Sequence, residues 1–183
     1  MTSLLRFSEV SLRRGGRLLF DCFDLALAAG EGLQVTGPNG SGKSSLIRLA
    51  AGLLRQERGR VDRSRLALAD DNLALDPELP LRRALQFWNA DMDAAMQAAG
   101  IEHLGDVPVR FLSSGQVKRA TLARVFASRA PLWLLDEPLN ALDADGARRL
   151  AEMIERHRSN NGGVVAASHQ PLPGDWRTLE LGA

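Results

Sequence analysis

Gly37, Pro38, Asn39, Gly40, Ser41, Gly42, Lys43 and Ser44 fit the pattern G-x-x-x-x-G-K-[ST], and residues of these types in this order suit one task, the cradling of phosphate. A loop that turns backbone N–H groups inward onto phosphate oxygens needs positive φ and close approach, which glycine permits and a Cβ forbids. Lys43 adds a point charge for β and γ phosphates, the Ser44 hydroxyl is placed to ligate Mg²⁺, and Ser45 belongs to the same phosphate-binding set. Three further groups could do chemistry. Asp136 and Glu137 end a continuous apolar run; two carboxylates at the end of a buried strand are costly to desolvate unless they meet a cation or a proton-transfer task. His169 follows another apolar run, at the strand edge where ligands bind in open α/β sheets. Ser113, Ser114, Gly115 and Gln116 open a helix with a strong N-cap signal and leave an anion-friendly approach, although taken alone they describe an ordinary capped helix.

These groups need elements to hold them. Residues 32–36 read as a short buried strand and residues 41–54 as a helix, with Leu46, Ile47, Leu49, Ala50 and Leu53 at helical spacing, so that the helix N-terminus points at the anion. Before them, residues 4–12 and 18–27 are strand-like runs separated by Arg13, Arg14, Gly15, Gly16 and Arg17, a hairpin signal predicting a small antiparallel layer. Gly52 and the polar stretch 55–65 end the helical segment, and residues 66–69 give another short strand. From Asp70 to about Pro108 the pattern predicts a mostly helical insert, with apolar positions at Ala84, Leu85, Trp88, Met92, Ala95 and Met96 that read most simply as packing. A helix to about Arg129 follows the Ser-Ser-Gly start. Residues 131–135 and 164–167 are continuous apolar strands, as in parallel sheets buried on both faces. A helix over 144–158 lies between them, and residues 176–181 read as a closing edge strand. The fold class is therefore α/β, with a parallel core sheet, a small antiparallel layer and a short helical subdomain over about 73–130, all in a single domain of residues 1–183.

Composition sets bounds. With 183 residues, 45% hydrophobic, 25% charged and a net charge of +1, the chain is long enough for one well-buried core and has no basic excess arguing for nucleic acid. Its one cysteine, Cys22, excludes an internal disulfide framework and reads as a small apolar filler in a strand. No apolar run reaches the ~18 residues of a membrane span, and the N-terminus lacks a secretory pattern, so a cytoplasmic location is expected.

The motifs together resemble the ATP-binding cassette ATPases, a family of P-loop NTPases. The resemblance rests on order and spacing: the phosphate loop, the signature Leu112-Ser113-Ser114-Gly115-Gln116, residues 132–136 followed by Glu137, Asn140-Ala141-Leu142-Asp143, and His169. It implies ATP and Mg²⁺ as ligands. It also implies that Asp136 and Ser44 hold the metal, that Glu137 orients and deprotonates the attacking water, and that His169 contacts the γ-phosphate. Ser114, Gly115 and Gln116 would reach the nucleotide of an opposite cassette, so two copies would close head-to-tail over two ATP molecules. Two positions depart from the family pattern. Arg13 and Arg14 stand where an aromatic usually stacks on adenine, and Asn72 is the nearest equivalent of a metal-contacting Gln, with Asp70 and Asp71 beside it. Within the family, residues 112–143 and the short insert look like the ATP-binding subunits of haem exporters in cytochrome c maturation. That likeness implies integral membrane partners similar to CcmB and CcmC, peripheral attachment at the cytoplasmic face of a bacterial inner membrane, and no nucleic-acid partner. Another small exporter, a lipoprotein-release system or a non-transport cassette module remains the alternative.

Overall fold

The computed structural model describes residues 3–70, 75–86 and 92–182. Strands β1 (Ser3–Arg14) and β2 (Arg17–Ala28) form an antiparallel hairpin. Its turn is Gly15-Gly16, with φ of +55° and +79°; a type I′ hairpin turn needs positive φ at both positions. The chain then enters β3 (Gly32–Thr36), passes the phosphate loop and forms α1 (Lys43–Ala51). Strands β4 (Arg58–Arg63) and β5 (Leu66–Ala69) follow, then α2 (Leu81–Gln86), α3 (Met92–Ala99) and α4 (Ser114–Ala127). The chain finishes with β6 (Leu132–Asp136), α5 (Ala144–Ser159), β7 (Gly163–Ala167) and β8 (Arg177–Glu180).

The strands make two sheets. One is antiparallel, in the order β2-β1-β4; the other is parallel throughout, in the order β5-β6-β7-β3-β8. Alternation along the parallel strands divides the core, because successive side chains point to opposite faces. Leu132, Leu134, Val165 and Ala167 join α1 and the hairpin in one cluster, whereas Trp133, Leu135, Val164 and Ala166 pack on the other face with Leu122, Val125, Leu150 and Ile154 of α4 and α5. Fully burying each Leu or Val contributes roughly 1.5–3 kcal/mol. That is why β6 and β7 carry uninterrupted apolar runs. A third cluster gathers α2, α3 and part of α4 around Leu81, Leu85, Met96, Ile101 and Ala123.

The α/β architecture with its parallel sheet and small antiparallel layer is thus present, and β8 is the edge strand expected from the tail. Four local expectations are corrected. The polar stretch 55–65 contains β4, which pairs with β1. Its Arg-rich, largely exposed sequence hides the strand, since charges on an edge strand block further pairing and erase the apolar alternation. Helix α1 stops at Ala51, because Gly52 at φ +78° returns its N–H to the Arg48 and Leu49 carbonyls. Leu53 consequently falls beyond the helix and is exposed. Cys22 is exposed rather than a filler; it sits at φ +45° in an irregular stretch of β2, its N–H donated to Ser11 Oγ at 3.1 Å. The buried positions Ala84, Leu85, Met92, Ala95 and Met96 match the expected packing face, now split between α2 and α3. Trp88, Asp71 and Asn72 lie outside the described residues.

Candidate functional site

The phosphate loop follows β3, the strand between β7 and β8. Three of its glycines take positive φ: Gly37 +134°, Gly40 +79° and Gly42 +109°. At Gly37 the requirement is also steric, since a methyl there would stand 2.3 Å from the Leu181 carbonyl oxygen. Lys43 is buried and folds its ammonium back over the loop, donating from Nζ to the carbonyls of Gly37 at 2.8 Å and Pro38 at 3.1 Å. No side chain caps the start of α1. Its first-turn N–H groups, with the positive end of the helix dipole, are therefore directed at whatever anion enters the loop.

Sheet order brings the reactive groups to this loop. Strands β6, β7 and β3 are consecutive neighbours running in one direction, so their carboxyl ends lie side by side at the ~4.8 Å strand spacing. Asp136 ends β6, and its Oδ1 accepts from the Ser44 hydroxyl at 3.0 Å. Glu137 is held by its N–H to the Ala167 carbonyl at 2.8 Å, in a left-handed conformation, φ +45°, that turns the chain sharply out of the strand. His169, just beyond β7, donates from Nδ1 to Glu137 Oε2 at 2.9 Å. A cavity of about 490 Å³ spans from Glu137 across Gly40, Lys43 and Ser44 to Arg14 and Arg17. A second opening, about 560 Å³, shares Asn39 and Glu137 with it and adds Asn140 and His169.

Ser44 and Asp136 present two hard oxygen donors at hydrogen-bond distance. Among the described residues no group of three or more His, Cys, Asp or Glu could hold a metal. Such a sparse pair suits a cation like Mg²⁺, which takes one or two protein oxygens and completes its shell from phosphate and water.

The signature residues lie elsewhere. Ser113 caps α4: its hydroxyl accepts from the Gln116 N–H, and Gln116 Oε1 accepts from the Ser113 N–H at 2.8 Å, a reciprocal capping box. Ser114, Gly115 and Gln116 line a cavity of about 570 Å³ that shares no residue with the one over the phosphate loop. Gly115 packs against the segment after β6, where a methyl would meet the Ala141 carbonyl oxygen at 2.7 Å. One turn along α4, Arg119 pairs with Asp143 and, at 3.0 Å, with Asp145, and donates to the Ala99 carbonyl of α3. Hydrogen bonds from Arg149, Arg148 and Arg119 hold the Asp145 carboxyl well below the usual carboxylate range. The start of α5 is thereby pinned to the signature helix.

The structure thus gathers Lys43, Ser44, Glu137 and His169, together with Gly37, Pro38, Asn39, Gly40, Gly42 and Ser45, around two adjoining openings, with Asp136 joined to them through Ser44. Ser41 is an exception within the loop. Its hydroxyl is buried without a hydrogen-bond partner and lies 2.9 Å from where a Cβ on Gly37 would stand, so its side chain supports the loop from beneath. Asn72 lies outside the described residues. Of the two arginines that end β1, Arg14 enters the cavity and donates to Ser45 Oγ at 3.2 Å, whereas Arg13 turns toward Glu57 at 3.9 Å. Sequence reasoning missed Arg17, Leu19 and the buried Lys118, whose Nζ donates to the Asp136 carbonyl at 3.3 Å. A lysine inside the packed stretch of α4 is the signal that could have marked Lys118; nothing local marks Leu19.

The ABC transporter family matches residues 20–140. The cytochrome c biogenesis ATP-binding export protein CcmA of Sphingopyxis alaskensis is 53% identical over 180 residues, covering 94% of this chain and 93% of that protein. The protein of the same name from Novosphingobium aromaticivorans is 54% identical over 168 residues, covering 90% and 88%. Among solved structures, the dimeric post-hydrolysis state of an ATP-binding cassette bound to ADP and Pi superposes with a TM-score of 0.84 at 19% identity, covering 97% of this chain and 94% of that one. A bacterial Atm1-family exporter with ATP bound gives 0.85 at 21% identity, covering 97% of this chain and 36% of that one. Both share the fold.

Proposed function

The chain belongs to the ABC transporter family, and we propose that it is the ATP-hydrolysing subunit of a bacterial export complex for cytochrome c biogenesis. The observation that carries the chemistry is the convergence, at one sheet edge, of Lys43, the Ser44–Asp136 pair and the Glu137–His169 pair. Phosphoryl transfer to water is mainly a matter of positioning and charge stabilisation. Glycine-loop N–H groups and Lys43 bind the phosphates. Ser44 and Asp136 hold Mg²⁺, which when bound neutralises phosphate charge and helps orient the triphosphate. Glu137 accepts the proton of the attacking water, and His169 fixes the carboxylate that does so while facing the γ-phosphate.

The separation of the Ser114–Gln116 cavity from the phosphate loop supports a working unit of two cassettes, each offering its signature to the nucleotide of the other. The distinct apolar cluster of α2, α3 and α4 supports residues 73–130 acting as a helical arm of a single domain over 1–183. Among the described residues no helix is long and apolar enough to cross a membrane. Attachment to integral membrane subunits like CcmB and CcmC, on the cytoplasmic face of the inner membrane, with haem or a haem-bound chaperone as cargo, completes the reading by analogy with the CcmA relatives.

The test is ATP hydrolysis by the purified chain, alone and co-expressed with the membrane proteins encoded beside it, followed by complementation of holocytochrome c formation in a strain lacking the gene. Turnover that rises with those partners, and restored c-type cytochromes, are expected. Turnover indifferent to them and failed complementation by a folded, ATP-hydrolysing chain would overturn the biogenesis assignment.

A further inference from the structure

The parallel sheet places β3 between β7 and β8, so the chain leaving β7 must cross one face of β3 before it can enter β8. Leu33 and Val35 turn to the other face, into the cluster of α1 and the hairpin. Gln34 turns toward the crossing segment, with Ala166 of β7 beside it in register, and it is buried. An amide inside a core strand is costly unless both of its ends are paired, and here both are. Gln34 Nε2 donates to the Gln170 carbonyl at 2.8 Å, and Gln34 Oε1 accepts from the Leu172 N–H at 3.3 Å. Packing alone does not call for this side chain, since Ala166 and Leu172 belong to the apolar cluster on this face. Both partners lie in the segment that Ser168 and His169 open. Ser168, fully buried, donates its N–H to the Val35 carbonyl at 3.1 Å; its hydroxyl donates to the Gln170 carbonyl at 2.9 Å and accepts from the Gln170 N–H at 3.1 Å. The main chain is thus bonded on each side of His169. Its ring stays half exposed, with Nδ1 on Glu137 Oε2 and Nε2 at 3.4 Å from Gln170 Nε2.

We propose that Gln34 is a positioning residue for hydrolysis: its amide clamps the main chain at Gln170 and Leu172 and so sets the His169 ring on Glu137. The proposal rests on reading Glu137 and His169 as the pair that meets the attacking water and the γ-phosphate. One contact between partly exposed side chains is too weak to fix a ring by itself, so the main chain behind His169 must do it. Misplacing a group in a reacting site by about 1 Å costs about a hundredfold in rate. Gln34 lies on β3 ahead of the phosphate loop and lines neither opening of the site. Removing its amide therefore leaves the phosphate-binding groups in place, and the effect falls on the chemical step.

The experiment is Gln34→Met in the full chain, which keeps the length of the side chain and removes both bonds. Steady-state ATP hydrolysis with Mg²⁺ and equilibrium ATP binding are read beside NMR of ring-labelled histidine, at a pH about two units above the ordinary histidine pKa. The three histidines are told apart by substitution. The expected result is a kcat lower by about tenfold to hundredfold with the ATP dissociation constant within about twofold of wild type. The His169 ring should also pass from one held, Nδ1-protonated tautomer to a mixture. A merely structural role would lower the melting temperature and leave kcat and the His169 signals of the folded protein as in wild type. That result overturns the proposal, as does a fall in kcat with the His169 signals unmoved. Should Gln34→Met not fold, Gln34→Glu reads the donor bond alone. It keeps the acceptor for Leu172, and its carboxyl serves the Gln170 carbonyl only while protonated, so its turnover relative to wild type should fall as pH rises. A ratio independent of pH overturns the proposal. A folded wild-type chain that binds ATP and releases no phosphate would instead defeat the reading of Glu137 and His169, and with it the clamp as a device for hydrolysis.

Discussion

Replacing Glu137 by Gln removes an anionic oxygen and almost nothing else. The amide has the same shape, keeps an oxygen to accept from His169 Nδ1 where the carboxylate now accepts at 2.9 Å, and leaves the Glu137 N–H on the Ala167 carbonyl. Its left-handed backbone at φ +45° strains Gln as it strains Glu, so stability should not move measurably. On the proposed mechanism, what is lost is the base for the attacking water. General-base assistance contributes about 10²- to 10⁴-fold, so hydrolysis should fall by that factor, an activation cost of about 2.7 to 5.5 kcal/mol. In the proposed mechanism nucleotide binding draws on the glycine-loop N–H groups, Lys43 and Ser44, all untouched, and removal of a negative charge from that site should tighten it. The assay is phosphate release under saturating ATP and Mg²⁺, with nucleotide affinity by equilibrium binding and mass by sedimentation. Turnover reduced at least about hundredfold, affinity retained, and an ATP-dependent dimer that accumulates are expected. Turnover near wild type would refute the assignment of Glu137 as the base. Loss of nucleotide affinity would refute the separation of binding from chemistry.

Two further perturbations read other parts of the structure. Gly115→Ala sets a methyl 2.7 Å from the Ala141 carbonyl oxygen; urea unfolding should show a loss of about 1–3 kcal/mol from overpacking, and ATP-dependent dimerisation should fall while nucleotide binding by the single chain persists. His157 stacks on Trp133 with ring centroids 3.9 Å apart, and burial pushes its pKa below the ordinary value. The native state therefore binds fewer protons than the unfolded chain, so stability is fully present above the ordinary histidine pKa of about 6.5 and declines as pH falls from there toward the depressed value. His157→Phe, which keeps a ring against Trp133, should flatten that part of a pH-dependent melting profile, and an unchanged slope would remove His157 as its source.

The parts of this molecule written in local sequence were the legible ones. A glycine-rich loop announces itself because few residues tolerate φ near +100°, and the apolar runs 132–135 and 164–167 announce strands buried on both faces because no polar residue could survive there. Asp136 then stands out as the first polar group after one such run, and His169 as the second, behind Ser168, after the other. Other features depend on what folds against them. Strand β4 exists because β1 pairs with it, not because of its Arg-rich sequence. Irregular pairing in the hairpin exposes Cys22, an outcome absent from the alternation of its neighbours. Arg13 and Arg14 are chemically identical in the sequence, and only the register of β1 sends one toward Glu57 and the other into the cavity. Ser41 fits its motif perfectly and still turns its hydroxyl away from the ligand side, because the Leu181 and Gly182 backbone closes over the loop from behind.

The link between the two halves of the site was legible only as the motif Asn140-Ala141-Leu142-Asp143; the contacts that make it a link were not. Residues 137–143 run from the base to the signature helix: the Asn140 N–H is donated to the Glu137 carbonyl at 3.2 Å, Ala141 at φ +65° offers its carbonyl to the close approach of Gly115, and Asp143 caps α5 while pairing with Arg119 of α4. Glu137 and Ala141 both hold left-handed backbone conformations that non-glycine residues adopt at some cost, so the segment is fixed by its neighbours rather than by its own preferences. A chain braced in this way has few intermediate positions. Contact of a second cassette with Ser114 and Gly115 would therefore bear, through Ala141 and Asn140, on the carboxylate that must meet the water. On this geometry, pairing of the cassettes and alignment of the base are one event. A Gly115→Ala variant that lost dimerisation but kept the full turnover of the paired wild type would show that they are two.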